Sequence, residues 1–174
     1  QLGVYVVDAD IIAREVVKKG SRAWKEIIQY FGEGILLANG ELNRKKLGSI
    51  VFADGEKLRI LNKITHKYII ESIKKEIEIQ RNKYDIILID AAVLIESGLH
   101  QICDMIWVVT AAPELRKQRI MKRDELTTEQ AENRIRSQMS EDEMKLYASA
   151  IIHNNQDMEN VRLQVVQLLN KINS

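Results

Sequence analysis

The stretch Leu2-Gly-Val-Tyr-Val-Val-Asp8-Ala-Asp10 determines the expected fold, because an uninterrupted apolar run ends in two carboxylates and then continues into a helical pattern. Its apolar residues favour a strand that is covered on both faces, as in a parallel sheet. Ligands of open α/β sheets bind beyond the carboxyl ends of such strands, so Asp8 and Asp10 are candidate functional residues. The alternative is that Asp10 only caps the following helix, a role that Asp fills well.

The composition is typical of a soluble globular protein of one domain, with 174 residues, 45% of them hydrophobic and 29% charged. The 26 basic and 25 acidic residues leave a net charge of +1, which gives no bulk electrostatic reason to expect a nucleic acid or an anionic membrane as a partner. No apolar run approaches the roughly 20 residues that span a bilayer. The single cysteine, Cys103, cannot form an internal disulfide, so we expect a cytoplasmic protein.

Further strands and helices alternate along the chain. Apolar runs predict strands at 83–90, at 104–110 and, more weakly, at 151–152. Helical spacing, glycine stops and capping residues predict helices at 10–19, from Ser21 to about Phe31, from Asn43 to about Val51, from Glu56 to about Gln80, from Pro113 to about Arg123, after Thr127 or Thr128, and from Asp157 onward. This alternation predicts an α/β fold with a doubly wound parallel sheet.

The start of the chain indicates a missing segment. The chain begins with Gln1 rather than Met, and a parallel strand near residue 4 needs a neighbour that arrives through a preceding β-α unit. None of the eight glycines belongs to the phosphate-binding motif Gly-x-x-x-x-Gly-Lys-Ser/Thr. We therefore expect the domain to be N-terminally incomplete.

Two groups of polar residues have the chemistry of a phosphotransfer site. Asp90 ends the second strand as Asp8 ends the first, and strand-end carboxylates can hold Mg²⁺ through oxygen. Arginines crowd the two helices after Pro113, and guanidinium groups bind phosphate with two parallel hydrogen bonds. For each arginine alone, an exposed position without function is the commoner outcome. The cluster comprises Arg116, Arg119, Arg123, Arg134 and Arg136.

Short motifs in a fixed order extend this interpretation over nearly the whole chain. They are Gly3 to Asp10 with the following Ile-Ile-Ala-Arg, Phe31-Gly, Asn39-Gly-Glu-Leu-Asn-Arg44-Lys-Lys-Leu47, Val51-Phe52, Leu61-Asn62 with His66, Leu94 with Glu96, Gln118-Arg119 with Arg123-Asp124, Arg134-Ile135 with Gln138, and Ile151-Ile-His-Asn154. In this order and spacing the chain resembles the dephospho-coenzyme A kinase family, of the P-loop kinase type, without its N-terminal phosphate-binding loop.

The resemblance implies transfer of the ATP γ-phosphate to the ribose 3′-hydroxyl of dephospho-coenzyme A, with Mg²⁺ accompanying ATP. Asp10 matches the acid that receives or orients the hydroxyl proton, and Arg119 matches an arginine that contacts the transferred phosphates. Asn154 is expected near the adenine of ATP. The lid is expected at 114–147, with Arg123, Arg134 and Arg136 as its phosphate ligands.

The resemblance also assigns the acceptor side. Residues 21–80 form the expected helical acceptor-binding region, inserted between two strands of one kinase domain at 1–174. Substrate contacts are expected from Asp8, Arg44, His66 and Glu96, and a metal contact from Asp90. His66 is more commonly a polar contact than a base, and Trp24, Phe31 and Phe52 are expected in the core rather than as stacking platforms.

Two other functions stay open from the sequence. Another small nucleoside or nucleotide kinase would share the sheet and the arginine lid, but not the ordered motifs around Asp10 and Arg44. A chain that truly starts at Gln1 could be a non-catalytic module that binds a coenzyme A-like ligand. The oligomeric state does not follow from the sequence.

Overall fold

The computed structural model describes residues 3–172 and contains two compact units, residues 3–94 and residues 95–172. In the first unit, β1 (Tyr5–Asp8) pairs in parallel with β2 (Ile87–Asp90). Four helices lie between these strands in the chain: α1 (Ala9–Glu15), α2 (Arg22–Phe31), α3 (Arg44–Phe52) and α4 (Gly55–Gln80). They form the crossover that two parallel strands require.

The long helix α4 organises the first unit. Near its end, the Tyr5 hydroxyl of β1 donates a hydrogen bond to Glu76 Oε1 at 2.6 Å. Earlier along α4, Glu71 Oε2 lies 2.6 Å from Arg22 of α2. Helix α3 packs on α4 nearer the N-terminus of α4, through Leu58 and Leu61. Elements that come later in the chain therefore contact α4 nearer its N-terminus.

An apolar core joins α2, α3 and α4. Its buried centre consists of Ile27, Ile35, Leu47 and Val51, whose exposed fractions are between 0% and 6%. Half-buried apolar residues surround that centre: Val17, Phe31, Leu42, Ile50, Leu58, Leu61 and Ile64. Phe31 is thus a core residue, as the sequence predicts, whereas Phe52 at the end of α3 is 82% exposed and the prediction for it is wrong.

In the second unit, β3 (Trp107–Thr110) pairs in parallel with β4 (Ala150–His153). Between them lie α5 (Pro113–Asp124), α6 (Thr128–Arg136) and the short α7 (Glu141–Lys145). The closing helix α8 (Met158–Ile172) packs on β4. Within residues 3–172, no helix is both long and apolar enough to cross a membrane.

Burial alternates along β1 and along β3. Val7 is 3% exposed whereas Val6 is 54% exposed, and Val108 and Val109 differ in the same way, at 6% and 58%. Successive strand side chains point to opposite faces, so one face of β1 and of β3 is packed and the other is exposed. The expectation of a strand covered on both faces is therefore wrong for β1 in this structure.

The helix boundaries follow the capping residues closely. Side chains of Ser21, Asn43, Asp54 and Thr127 each accept a hydrogen bond from a backbone N–H in the first turn of their helix. The first helix is the exception, because it ends at Glu15 and the chain continues in tight turns to Gly20 instead of helix to residue 19. The mixed α/β fold with parallel strands is confirmed, and the single doubly wound sheet stays a prediction.

Candidate active site

Two of the predicted acids meet at the carboxyl edge of β1 and β2. Asp8 and Asp90 are register partners in the parallel pair, as the sequence predicts for neighbouring strand ends. Asp8 Oδ1 accepts a hydrogen bond of 2.9 Å from the backbone N–H of Ile11, so Asp8 is the N-cap of α1. The hypothesis that Asp10 serves only as the cap is therefore wrong. Asp10 lies in the first turn of α1 with an exposed side chain.

The carboxylates at this sheet edge can supply one or two of the ligands of a metal ion, with the other ligands coming from a bound substrate and water. Residues 3–172 contain no group of three or more His, Cys, Asp or Glu side chains placed to hold an ion. Mg²⁺ bound with a nucleotide usually takes one or two carboxylates, substrate phosphates and waters. The exposed carboxylates of Asp10 and Asp90 fit that donor set.

The predicted acceptor ligands of the first unit lie on two helices. Arg44 is the first residue of α3 and is exposed, directly after the capping Asn43. His66 lies half-buried on α4, and this burial lowers the pKa of its imidazole. The neutral ring is therefore favoured at neutral pH, when it can accept or donate a hydrogen bond without adding charge.

Glu96 lies in the second unit, in the turn that precedes a short 3₁₀ helix at Leu99–Ile102. Its side chain is exposed, while the adjacent Ile95 is 9% exposed. The Ile95 carbonyl accepts a hydrogen bond of 3.0 Å from the N–H of Gly98, whose φ of 79° requires the left-handed region. The turn thus fixes the backbone and presents the Glu96 carboxylate to solvent.

Arg119 and Asn154 are brought together by the structure. Arg119 Nη1 donates a hydrogen bond of 2.7 Å to the backbone carbonyl of Asn154. The N–H of Asn154 in turn donates to the carbonyl of Thr110, at 2.8 Å, which extends the β3–β4 pairing by one residue. Arg119, which is predicted to contact the transferred phosphates, therefore contacts Asn154, which is predicted to lie near the adenine of ATP.

Asp124 connects two of the predicted lid arginines. Its carboxylate accepts two hydrogen bonds from Arg123, at 2.8 and 2.9 Å, and a third from Arg134 Nη1 at 2.6 Å. The Arg123 hydrogen bonds and the charges of both guanidinium groups hold the pKa of Asp124 below its usual range. Asp124 was named only within the Arg123-Asp124 motif and was given no role, although an Asp directly after a lid arginine was a usable signal.

The third predicted lid arginine has a different partner. Arg136 Nη2 lies 3.4 Å from Glu132 Oε2 on the same helix, α6. Glu132 also lies 3.5 Å from Lys117 Nζ of α5, and Lys117 pairs with Glu114 at 2.9 Å. Charged pairs therefore connect α5 with α6 at two places, through Asp124 and through Glu132.

A cleft of about 380 Å³ opens at the carboxyl ends of β3 and β4. The Thr110 hydroxyl lies 3.2 Å from His153 Nδ1, and Ala112 N–H donates to Asn155 Oδ1 at 2.7 Å. These contacts join the two strand ends that form the base of the cleft. Its lining also includes Ala111, Pro113, Glu141, Asp142 and Lys145. This cleft was not predicted from the sequence.

Comparisons with known proteins agree on one family. The family model described as dephospho-CoA kinase matches residues 1–160. A dephospho-CoA kinase of Listeria monocytogenes serotype 4b is 43% identical over 175 residues, covering 98% of this chain and 86% of its own. The enzyme of the same name from Bacillus licheniformis is 42% identical, with 97% of this chain and 85% of its own length covered.

Solved structures show the same similarity. The structure of TT1252 from Thermus thermophilus has a TM-score of 0.80 and 25% identity, and the match covers 97% of this chain and 85% of that one. A dephospho-CoA kinase from Campylobacter jejuni has a TM-score of 0.70 and 28% identity, with 98% and 86% covered.

Proposed function

Because this chain belongs to the dephospho-CoA kinase family, we propose that it transfers the γ-phosphate of ATP to the ribose 3′-hydroxyl of dephospho-CoA, the final step of coenzyme A biosynthesis. The match of the family model to residues 1–160 carries this conclusion. The other two functions, a different small kinase and a non-catalytic binding module, have no comparable support.

Asp10 is the proposed proton acceptor. Asp8 already serves as the cap of α1, which leaves the exposed Asp10 carboxylate in the first helical turn for chemistry. A carboxylate at that position orients the 3′-hydroxyl and takes its proton as the oxygen attacks phosphorus. Asp8 lies beside it at the strand end, where its second carboxylate oxygen, Oδ2, accepts a hydrogen bond from a substrate hydroxyl in this proposal.

The arginine helices bind the phosphates in this proposal. Phosphoryl transfer depends mainly on positioning and on stabilising charge, and guanidinium groups supply both. Arg123 and Arg134 are held as a pair by Asp124, which favours binding of one polyphosphate by both. Arg119 is anchored on the Asn154 carbonyl, next to the end of β4, where we place the ATP. Arg136 completes the set, and residues 114–147 act as the lid.

Mg²⁺ is the proposed metal, bound with ATP. It would contact the exposed carboxylate of Asp90 at the end of β2, which is the predicted ligand. When bound, Mg²⁺ neutralises charge on the phosphates and helps orient them. The chain's own contribution is to hold Asp90 in register with Asp8 at one sheet edge.

Residues 21–80 are the proposed acceptor-binding region, with Arg44 and His66 contacting dephospho-CoA. The apolar core beneath α2, α3 and α4 supports this assignment, because a rigid base preorganises the residues above it. Glu96 is the proposed acceptor contact from residues 95–172.

We also expect the protein in the cytoplasm, where ATP and reduced thiols are available.

A coupled phosphotransfer assay on the full-length protein tests this function. With ATP, Mg²⁺ and dephospho-CoA, we expect turnover by the wild type and a loss of about 10²–10⁴ in kcat for Asp10→Asn, which keeps the shape but not the basicity. The KM for dephospho-CoA should change little. Asp85→Asn, an exposed acid before β2, is the matched control.

The outcomes separate the alternatives. Turnover of a nucleoside monophosphate without turnover of dephospho-CoA would assign the protein to another kinase function. Binding of dephospho-CoA without turnover of either acceptor would favour a binding module. Full activity of Asp10→Asn would leave the kinase function standing and remove Asp10 as the base.

A further inference from the structure

Gln164 is a polar residue on the face of α8 that contacts β4. Its side chain is half-buried, and it falls within a stripe of residues that recur along α8 at intervals of three and four. The apolar members of this stripe are Val161, Val165, Leu168 and Leu169. A helix that packs on a sheet normally carries apolar residues at such positions, so a glutamine there requires partners for its amide.

The amide of Gln164 binds both backbone groups of His153, the last residue of β4. Oε1 accepts a hydrogen bond of 2.9 Å from the His153 N–H, and Nε2 donates one of 2.9 Å to the His153 carbonyl. Alternate residues of a strand turn their backbone groups to opposite sides, and the next residue, Asn154, is bonded to Thr110 of β3. The backbone groups of His153 therefore face away from β3, where Gln164 pairs with them as a further strand would.

Asn160, one turn earlier on α8, fixes the orientation of this amide. Nε2 of Gln164 also donates a hydrogen bond of 2.8 Å to Asn160 Oδ1. An amide nitrogen has two N–H donors, so the contacts with His153 and Asn160 use both of them. Rotation of the amide by half a turn would place oxygen against the His153 carbonyl and nitrogen against its N–H. The side chain is thus held in a single orientation.

The residues that follow His153 connect this contact to the candidate active site. The Asn154 carbonyl accepts the hydrogen bond of 2.7 Å from Arg119 Nη1. Asn155 Oδ1 accepts one, also of 2.7 Å, from the backbone N–H that precedes α5. Segment 153–155 is therefore bonded to β3 and α5 on one side and to α8, through Gln164, on the other.

Stability alone does not explain a glutamine at position 164. Its hydrogen bonds with His153 lie at an exposed edge of β4, where water can replace a lost partner at little cost. An apolar side chain would instead extend the stripe and bury more apolar surface. The position that the amide imposes on the backbone explains it better than the stability that it adds.

We infer that Gln164 is a positioning residue for ATP, acting through the backbone of segment 153–155. The inference rests on the proposed function, in which Asn154 lies near the adenine and Arg119 contacts the transferred phosphates. Gln164 itself contacts neither substrate in this assignment. Without its two hydrogen bonds the segment moves more freely, and the guanidinium that is anchored on it no longer stays aimed at the phosphates. A displacement of about 1 Å at such a position can cost as much as 10²-fold.

Titration calorimetry of the full-length protein with Mg²⁺ and adenylyl imidodiphosphate, an ATP analogue that is not hydrolysed, tests this role. Gln164→Met keeps the length of the side chain and its helix propensity but removes both hydrogen bonds with His153. It should weaken binding about tenfold, while the melting temperature of the free protein should not fall. Gln167→Met, the same change at an exposed position of α8, is the matched control and should bind as the wild type.

Gln164→Glu separates the hydrogen bonds from the size of the side chain. The carboxylate has nearly the same shape, but it has no N–H donor and faces the His153 carbonyl. Binding should therefore be weakened at least as much as by Gln164→Met. In steady-state kinetics both variants should raise the KM for ATP and leave the KM for dephospho-CoA unchanged, since none of the proposed acceptor contacts lies on segment 153–155.

The outcomes are distinct. Wild-type affinity for the analogue in Gln164→Met or in Gln164→Glu would overturn the inference and leave the kinase function intact. Equal weakening by Gln167→Met, or a fall in melting temperature together with weaker binding of both substrates, would also overturn it, because a general loss of structure would then be the cause. Absence of analogue binding by the wild type would instead overturn the proposed function on which the inference rests.

Discussion

The helices around α4 and the helices α5 and α6 are held together by different forces. Helices α2, α3 and α4 share a core in which Ile27 and Ile35 are 0% and 1% exposed. Helix α5 buries no residue and α6 buries only Ala131, so the pair depends on side-chain pairs such as Asp124 with Arg134 at 2.6 Å. Apolar burial stabilises far more than exposed ion pairs do.

This difference separates a rigid region from one that can move. Regions with few buried apolar contacts open locally at low free-energy cost, and active-site lids are drawn from such regions. The α2–α4 layer suits the holding of one acceptor in one position. In the proposed function the α5–α6 pair closes over ATP, while Asp124 keeps Arg123 and Arg134 oriented toward the phosphates.

A core substitution should show the largest effect. Ile27→Ala removes a fully buried side chain from the α2–α4 core and should lower the free energy of unfolding by about 2–5 kcal/mol. Leu146→Ala, at a residue 84% exposed after α7, should change it by no more than about 0.5 kcal/mol. Denaturant unfolding measures both. Equal losses would show that Ile27 does not stabilise the α2–α4 core as described.

The substitution Asp124→Asn tests, by enzyme kinetics, the pairs that Asp124 forms with Arg123 and Arg134. The amide cannot hold two guanidinium groups as a carboxylate does, so Arg123 and Arg134 should lose their shared orientation. We expect the KM for ATP to rise about tenfold, with the KM for dephospho-CoA unchanged.

The control is Glu159→Gln, which removes an exposed pair with Arg162 on α8. A lower KM for ATP in Asp124→Asn would contradict the prediction, since it would mean that Asp124 competes with the phosphates for the arginines instead of orienting them.

His66 should give the smallest effect, a modest pH dependence of stability in the α4 region. Burial lowers its pKa in the folded state, so the unfolded chain binds more protons as the pH falls below the ordinary histidine value. Stability is therefore fully present above roughly pH 6.5 and decreases as the pH falls below it toward the lowered folded pKa. His66→Gln should remove this contribution.

Unfolding midpoints compared at roughly pH 5.5 and pH 7.5 measure the difference between the two proteins. Parallel pH dependences of wild type and His66→Gln would show that His66 is no more buried than a surface histidine.

Local signals in the sequence were reliable where a few neighbouring residues decide the conformation. The caps at Ser21, Asn43 and Asp54 place three helix starts within one residue of the predicted ones. Pro113 correctly marked the start of α5. These positions follow from hydrogen bonds between a side chain and the next turn, which depend on little else.

The sequence was misleading where distant packing decides the environment. Phe52 fits the apolar pattern of its segment, yet the core is filled by Leu47 and Val51 and the ring remains outside. Asp8 and Asp10 are equally good caps by type, and only the backbone geometry assigned the role to Asp8. Asp124 gained importance because α6 brings Arg134 to it from ten residues away.

The sequence by itself determined the order of strands and helices, most helix boundaries, the strand-end acids and, through its ordered motifs, the family. Tertiary structure decided the partner of each charge, the exposure of Phe52 and the cleft at the end of β3 and β4. The physical reason is the distance along the chain over which each interaction acts. Capping and periodicity act within one or two turns, whereas burial and ion pairing depend on which distant segments pack together.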